Sequence, residues 1–435
     1  MIQQRPKEKG QILVIFVLVL IGLLGLTALA IDGGMIYADR RYDQAASDAS
    51  SLAGAGAAAQ LLEKFGVAWT SFHCTAYHGQ QAQQKAFSVA QNIGATNQFA
   101  TLDNDLTDKH GITTTCVDNA SQWDKHIDVR TQITSNVSTA FAHLFFTGPI
   151  RNTVDSVVRI RPRTEVGFGY AIASLGSVCE TKFGGVVMGG TSDTYINGGG
   201  VFSNSCLDVN GSGMVDVSGG SIDYITTYKN ASGAPVSPSP VQVPTPMDII
   251  ELDPPACGTS AAISHHGGGT INPGNYSSIR QNANNSSLTL NPGLYCVNGD
   301  FTITGGTITG EGVTIYMIGT TALPSPLNIA GGVTAHLSAP TRSNVTGGAL
   351  VGMLIYSDPA NVGAIKLVGN SGSSFVGTVY APNGPLEVGG TTGINPTYNT
   401  QLVGAYVKIN GTSRIDINFA GFEPASDPPR LDVQQ

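Results

Sequence analysis

The stretch Ser287–Gly319, SLTLNPGLYCVNGDFTITGGTITGEGVTIYMIG, decides the fold of most of this chain. Short apolar segments of about four to six residues alternate in it with turns built from glycine and asparagine, a pattern that predicts β-strands. The same rhythm starts near Phe183 and returns in segments such as GMLIYSD and LVGAYVKING, with strands recurring roughly every eight to twelve residues. The sequence therefore predicts a mainly β protein.

Three features favour a right-handed parallel β-helix for residues 165–435. The turns are rich in Asn-Gly and Gly-Gly, the strands have apolar residues on both faces, and the rhythm lasts longer than one sandwich needs. A β-sandwich is the alternative. Seven prolines between Pro235 and Pro255 predict an extended excursion from this domain at about residues 232–256.

The composition excludes some classes of protein. The chain has 435 residues, a formal net charge of −8 and 12% charged residues, against about 25% in ordinary soluble domains. No basic run follows Lys9, so nucleic acid is not an expected partner. The 41% hydrophobic content is enough to build a core and argues against disorder.

An uncharged apolar run of 20 residues, Ile12–Ile31, lies near the N-terminus. As a helix it would extend roughly 30 Å, the thickness of the hydrocarbon core of a bilayer. It is longer than the apolar segment of a signal peptide, about 7–15 residues, which favours a retained anchor. Residues 28–30, Ala-Leu-Ala, nevertheless fit the small-x-small pattern of signal peptidase sites, so a cleaved signal peptide is the alternative.

The charges that flank the run predict its orientation. Arg5, Lys7 and Lys9 precede it, and the positive-inside rule places this end in the cytoplasm. We therefore expect a cytoplasmic stub at residues 1–10 and one helix in contact with lipid at residues 11–31. The protein would be a single-pass protein of the cytoplasmic membrane, with its remaining domains outside the cytoplasm.

Residues 32–64 are rich in alanine and lack proline, which predicts a helix. A bend is expected at Gly33 and Gly34, where the chain would leave the membrane. Small residues and one leucine recur near helical spacing and would let another helix approach closely. The alternative is an amphipathic helix that lies on its own domain. The members of this stripe are Ala45, Ala49, Leu52, Ala53 and Ala57.

A motif of polar and small residues flanks the apolar run on both sides. Its members are Gly10, Gln11, Ala30, Ile31, Asp32, Gly34, Tyr37, Arg40, Gln44, Ala45, Ala46, Asp48, Ala49, Leu52, Ala53, Gly54 and Ala55. This pattern resembles the N-terminal segment of TadE/TadG-like proteins of the Flp (Tad) pilus-assembly system. The family usually has alanine where this chain has Ser47, Ser50 and Ser51.

The resemblance implies an uncut anchor and a role in building a pilus or a related secretion apparatus. A structural or assembly component of that kind acts by protein–protein binding to other membrane or pilus-assembly subunits, without a cofactor. Gly10 is not an expected prepilin-peptidase site, because the fifth residue after it is Ile15 rather than glutamate.

Residues 65–164 are predicted to form a small exported α+β region. Its helices are expected at residues 80–97 and 136–148, and its strands at 111–117, 126–133 and from 153 onward. His143, beside two phenylalanines, is interpreted as a core residue rather than a catalytic one.

All six cysteines follow the apolar run, so disulfides are expected. Fifteen pairings are open, and pairing between neighbours is favoured: Cys74–Cys116, Cys179–Cys206 and Cys257–Cys296. A metal site is the alternative, since His73, Cys74 and His78 lie close together in sequence and His265 adjoins His266. Neither group has CxxC or HxxxH spacing, so no metal is predicted.

No catalytic constellation is apparent, and the chain is not expected to be an enzyme. A β-helix raises the alternative of a polysaccharide lyase, but that chemistry needs paired carboxylates or a base beside a metal. After Gly268 the ionisable residues are few and scattered. A second alternative is a cell-surface or secreted β-helical adhesin that binds glycan or the envelope.

Overall fold

The structure is a computed structural model that describes residues 11–99, 109–142, 150–179, 184–250, 252–370, 372–390, 397–412 and 414–434. The chain forms two compact units. Unit 1 contains the chain up to Asn119, Asp124–Arg163 and the segment from Pro429 to the C-terminus. Unit 2 contains Ala120–Trp123 and Thr164–Pro428, so it is inserted into unit 1.

Unit 1 begins with two α-helices, α1 (Gln11–Lys64) and α2 (Tyr77–Thr96). Helix α1 continues through Gly33 and Gly34, so these two glycines do not end it. Flanking residues of high helix propensity and the lack of proline explain this, because a single glycine costs a helix only about 1 kcal/mol.

The sheet of unit 1 is antiparallel, with the order β1-β2-β3-β31. Its strands are β1 (Gly111–Asn119), β2 (Asp124–Val137), β3 (Ile150–Arg161) and β31 (Arg430–Gln434), numbered in chain order. The helix expected at residues 136–148 is wrong at its start, because Asn136 and Val137 pair with β3 as the end of β2. Residues 143–148, including His143, lie outside the described residues.

Both helices pack on one face of this sheet. The alternation of β2 places Ile127, Val129 and Ile133 in the core with α1 and α2, while Asp128 and Arg130 lie on the opposite face. An antiparallel sheet with one apolar and one polar face takes this arrangement. The sheet therefore fixes which face of α1 is buried.

The described residues of unit 2 form strands of two to 15 residues and a 3-10 turn at Ala120–Gln122. Its strands are β4 (Thr164–Glu165), β5 (Tyr170–Ser174), β6 (Gly185–Gly190), β7 (Thr194–Asn197), β8 (Gly200–Ser203), β9 (Leu207–Val209), β10 (Val215–Ser218), β11 (Ile222–Tyr224), β12 (Tyr228–Asn230), β13 (Val236–Ser237), β14 (Val241–Gln242), β15 (Ile263–His266), β16 (Gly269–Ile271), β17 (Gly274–Gln281), β18 (Ser287–Leu290), β19 (Gly293–Val297), β20 (Phe301–Ile303), β21 (Thr307–Gly310), β22 (Val313–Met317), β23 (Leu327–Ile329), β24 (Thr334–Ser338), β25 (Met353–Ser357), β26 (Ile365–Leu367), β27 (Ser374–Val388), β28 (Thr397–Gly411), β29 (Ile415–Asn418) and β30 (Ser426–Asp427).

The strands of unit 2 pair in parallel, except that β4 and β30 pair antiparallel. The parallel pairs form three ladders. Ladder A is β17-β19-β22-β25-β27-β28-β5-β8-β11-β14. Ladder B is β15-β17-β20-β23-β26-β27-β28-β6-β9-β12. Ladder C is β16-β18-β21-β24-β27-β28-β29-β7-β10-β13. This pairing does not match an antiparallel β-sandwich.

The first strands of unit 2 to join the ladders, β5–β7, lie in the middle of them. From there the following strands add in order toward one end, which is formed by β12–β14. The chain then crosses to the other end at β15–β17, and the later strands add in order until β27–β29 reach the middle. The connection between the two ends is the segment 243–262, which we call the strap. The proline-rich excursion expected at residues 232–256 therefore starts later, because β13 and β14 are paired members of the ladders.

Four contacts hold the strap beside ladder A, and they follow each other in order along it. They join Met247 to Asn204, Ile250 to Tyr380, Leu252 to Tyr356 and Cys257 to Cys296. The register of ladder A aligns the last three partners through Tyr316, so they form one column. The residues before and after each member of this column point into the core, so the column itself lies on the outer face of ladder A. Its members are nevertheless buried.

Candidate functional site

The first part of α1 is apolar and exposed. Among the described helices α1 is long and apolar enough to cross a membrane. Almost all side chains from Leu13 to Ile31 lie on its surface; Leu29, for example, is 71% exposed. A continuous run of exposed leucine, isoleucine and valine side chains is favourable in contact with lipid and unfavourable in contact with water.

Asp32 ends the apolar segment and connects α1 to the segment that follows β2. It is buried at 6% exposure. Its carboxylate accepts hydrogen bonds from the backbone N–H groups of Ala140 (2.7 Å), Phe141 (3.1 Å) and Ala142 (2.5 Å). A carboxylate that accepts several backbone hydrogen bonds is held rigidly, since such bonds are charge-assisted. Asp32 therefore positions residues 140–142 beside the end of the apolar run.

Serines bind the next turns of α1 to the sheet. Ser47, Ser50 and Ser51 are fully buried. Ser47 Oγ donates to Thr131 O of β2 at 2.7 Å, and Ser51 Oγ donates to Ser156 O of β3 at 3.0 Å. All three positions at which the resemblance led us to expect alanine are thus buried, and two of them add direct hydrogen bonds to the sheet.

Asp43 is a buried carboxylate that sequence reasoning missed. It is 1% exposed and accepts hydrogen bonds from Ser135 Oγ of β2 and Asn152 Nδ2 of β3. Burial is the main cause that raises the pKa of Asp43, and the neighbouring charge of Asp39 acts in the same direction. The sequence did contain a signal for Asp43: it precedes Ser47 by four residues, and this spacing places the two side chains on the same face of a helix.

Gly54 lets the two helices approach closely. A Cβ at this position would lie 2.6 Å from Ala86 O of α2, nearer than real Cβ atoms come to backbone. Ala46 and Ala55 of the motif are buried on the same helix. Gln44 Nε2 donates to Asp48 Oδ1 at 2.8 Å and to Asp155 O at 3.3 Å, so both polar motif residues flank the helix–sheet contact.

The remaining motif residues lie outside this contact. Ala45 and Ala49 are exposed, Leu52 is 49% exposed and Ala53 is half-buried. The buried face of α1 is therefore a different face from the stripe of small residues expected from the sequence. One face of α1 packs on the sheet of its own unit, and the face that carries Ala45 and Ala49 remains exposed.

Apart from the buried Asp32, the described motif residues nearest the apolar segment are exposed or lie at the start of α1. Gly34 and Arg40 are exposed, and Tyr37 is 64% exposed with the guanidinium carbon of Arg41 6.0 Å from its ring centre. Gln11 is the first residue of α1, and Gly10 lies outside the described residues.

Two of the three expected disulfides are present. Cys74 is bonded to Cys116 and Cys257 to Cys296. The third expected pair, Cys179 and Cys206, consists of free thiols in contact with each other. Burial favours a higher pKa for Cys179, but hydrogen bonds from Cys206 and Thr226 outweigh it and the pKa is lowered. Burial and the Cys179 sulfur raise the pKa of Cys206 to about 12.

The histidines singled out by the sequence have other contacts. Cys74 is in its disulfide, His73 Nδ1 lies 2.9 Å from Asp118 Oδ2, and His78 stacks on Phe65 with ring centres 4.4 Å apart. His265 Nε2 lies 3.2 Å from Gly267 O. Within the described part of the chain, no three His, Cys, Asp or Glu side chains are placed to share a metal ion.

Comparison with known proteins identifies the N-terminal segment. Residues 10–59 match the family described as Flp pilus-assembly TadE/G-like. Neither a curated protein nor a solved structure matches the chain. The matched residues include the apolar segment of α1, Asp32, the sheet-binding serines and the exposed alanines. The match and the apolar helix together indicate a membrane-anchored protein whose residues 10–59 are similar to the TadE/G-like Flp pilus-assembly family.

Proposed function

We propose that this protein is a membrane-anchored structural component of a Flp (Tad) pilus or a related secretion apparatus, and that it acts by binding other subunits. The family match at residues 10–59 is the observation that carries the proposal. The component would need no cofactor and would not be an enzyme.

The exposed side of α1 is the surface we propose for this binding. Ala45 and Ala49 are exposed on a helix whose opposite face is fixed to the sheet by Ser47 and Ser51. Small residues at this spacing let a second helix approach closely. Because the sheet holds α1 rigidly, little conformational entropy is lost when a partner docks.

Substitution of the exposed alanines tests this surface. In the double variant Ala45→Leu/Ala49→Leu we expect at least a tenfold loss of pilus-assembly subunits that co-purify with the full-length protein. Ala95→Leu is the matched control, since Ala95 is an exposed alanine on α2 in the same unit. Unchanged co-purification of the double variant would contradict a helix interface.

We further propose that the anchor is retained and that the N-terminus lies in the cytoplasm. The unbroken course of α1 from Gln11 to Lys64 supports retention, since cleavage near Ala30 would divide this helix and remove its apolar part. Mass spectrometry of the N-terminal peptide tests this. A membrane protein that starts at Met1 or Ile2 supports it, and a released protein that starts at Ile31 contradicts it.

For unit 2 we propose a right-handed parallel β-helix whose three faces are ladders A, B and C. The pairing of successive strands with the third strand that follows supports this fold, because stacked coils require it. An experimental structure of unit 2 within the full chain would test both the coil and its hand.

A further inference from the structure

Ladder C carries a row of polar side chains on its outer face. The register aligns Thr289 with Thr309, Thr309 with His336 and His336 with Ser374. The residues before and after each of the four are buried, so strand alternation directs the row away from the core. Strands in a ladder lie about 4.8 Å apart, and the row therefore offers one polar group per strand at regular spacing.

A groove of about 560 Å³ follows this row across β18, β21, β24 and β27. Asn291, Glu311 and Ser338 extend its polar lining at the ends of the strands. The volume lies within the range of about 300–1,000 Å³ that is usual for ligand sites. The groove is thus large enough for several units of a chain that runs along the ladder.

A long loop stands beside one end of the groove. Residues 339–352 connect β24 to β25, and they pass near the starts of β19 and β22. A Cβ at Gly312 would lie 3.6 Å from Asn344 Nδ2, and Gly347 approaches Gly293 in the same way. The loop is fixed by the ion pair of Arg342 with Glu423, 2.5 Å from Nε to Oε1. It therefore contacts the residues that directly follow the groove-lining Pro292 and Glu311.

The lining decides the class of ligand. The backbone groups of these strands already pair within ladder C, so an extended peptide cannot join them as a further strand. No lysine or arginine is among the described residues that line the groove, while Glu311 adds a negative charge, so an anionic chain is disfavoured. Hydroxyl, imidazole and amide groups in a row can both donate and accept hydrogen bonds, as neutral sugar hydroxyls require.

We propose that this groove binds a neutral polysaccharide chain, with successive sugar units facing Thr289, Thr309, His336 and Ser374. The inference is independent of the assembly surface on α1. Since no Phe, Tyr or Trp lines the groove in the described residues, hydrogen bonds supply the affinity, and we expect Kd values on the order of 1 mM for short oligosaccharides.

Binding of defined hexasaccharides to the full-length protein in nanodiscs tests the proposal. The probes are hexamers of β1,4-linked glucose, α1,4-linked glucose and β1,4-linked N-acetylglucosamine, observed by saturation-transfer NMR. We expect at least one to bind, with at least a tenfold weaker affinity in Thr289→Val/Thr309→Val and in Ser374→Trp. Valine keeps the shape and strand preference of threonine but removes the hydroxyl.

Thr302→Val is the matched control, because Thr302 is a half-buried threonine on ladder B, outside the groove. Its affinity should stay within twofold of the unsubstituted protein. The proposal is overturned if none of the three hexamers binds, if Thr302→Val weakens binding as much as the groove variants, or if a uronic-acid hexamer binds more tightly than the neutral ones.

Discussion

The serines of α1 differ from one another in a way that single substitutions can reveal. Ser47→Ala and Ser51→Ala each remove a buried hydrogen bond to the sheet and should cost about 1 kcal/mol. Ser50 Oγ is buried and has no hydrogen-bond partner among the described residues, so Ser50→Ala should be neutral or slightly stabilising. Hydrogen exchange of the β2 and β3 amides in the full-length protein measures these changes, and equal effects of all three substitutions would contradict the assignment.

The free thiols of unit 2 make a second prediction at the residue scale. Because the pKa of Cys179 is lowered and that of Cys206 is raised, Cys179 should be alkylated first as pH increases from neutral. Cys206→Ser weakens the hydrogen bonding to the Cys179 thiolate and should move its alkylation to higher pH. Peptide mass spectrometry after iodoacetamide treatment gives both midpoints, and preferential labelling of Cys206 would contradict the expected order.

The same two thiols lie in contact, so a disulfide exchange reagent should join them. We expect oxidised glutathione to convert them into the third disulfide that the spacing of the cysteines predicts.

The sequence predicts single residues best where partners are neighbours in the order of their type, as for the two disulfides that the structure contains. Asp43 was missed because its partners, Ser135 and Asn152, are about a hundred residues away in sequence.

At the scale of elements, the strap depends on individual tyrosine hydroxyls. Tyr356 donates to Leu252 O at 2.8 Å and Tyr380 donates to Ile250 O at 2.9 Å. Removing both hydroxyls in Tyr356→Phe/Tyr380→Phe should loosen the strap by about 2 kcal/mol in total. Limited proteolysis within the strap should become several-fold faster.

Tyr316→Phe is the control for this experiment. Tyr316 belongs to the same column of ladder A, but its hydroxyl donates to Asp358 rather than to the strap. Strap proteolysis in this variant should match that of the unsubstituted protein. Faster cleavage in Tyr316→Phe than in the double variant would show that the column, rather than the two strap bonds, controls access.

Elements with a clear local pattern were predictable, and elements that depend on pairing partners were not. Helix α2 and strands β1 and β2 follow from periodicity and β-branched content. Residues 136 and 137 fit an amphipathic helix equally well, but pairing with β3 makes them a strand. Strand β31 has no strong signal of its own, because Leu431 and Val433 acquire a partner only in β3.

For the whole molecule, the insertion of unit 2 makes a prediction about independent folding. Thr164 pairs with Asp427, so the two points where the chain enters and leaves unit 2 are adjacent. Replacing residues 164–428 with a short glycine-serine linker should leave unit 1 folded. Protection of the β2 and β3 amides from exchange should persist in that variant, and it should fall when residues 429–435 are deleted as well.

The order of the three ladders was beyond the reach of the sequence. Repeated short strands predict a mainly β unit, and apolar residues on both faces of many of them favour parallel pairing. Nothing local indicates that β28 pairs with β5 and β6, more than 200 residues earlier, or that the strap carries the chain from one end of the ladders to the other. Such contacts depend on register over long separations, which repetitive strands with similar turns specify only weakly.

The position of β31 also has a consequence for biosynthesis. After β3 leaves the ribosome, the whole of unit 2 must be made before the strand that covers the edge of β3 exists, a delay of about 15–50 s at ordinary rates of translation. A prematurely terminated chain would display that edge permanently, and exposed edges promote aggregation. Completion of the sheet by β31 thus distinguishes chains that have been made through residue 434 from chains that stop before it.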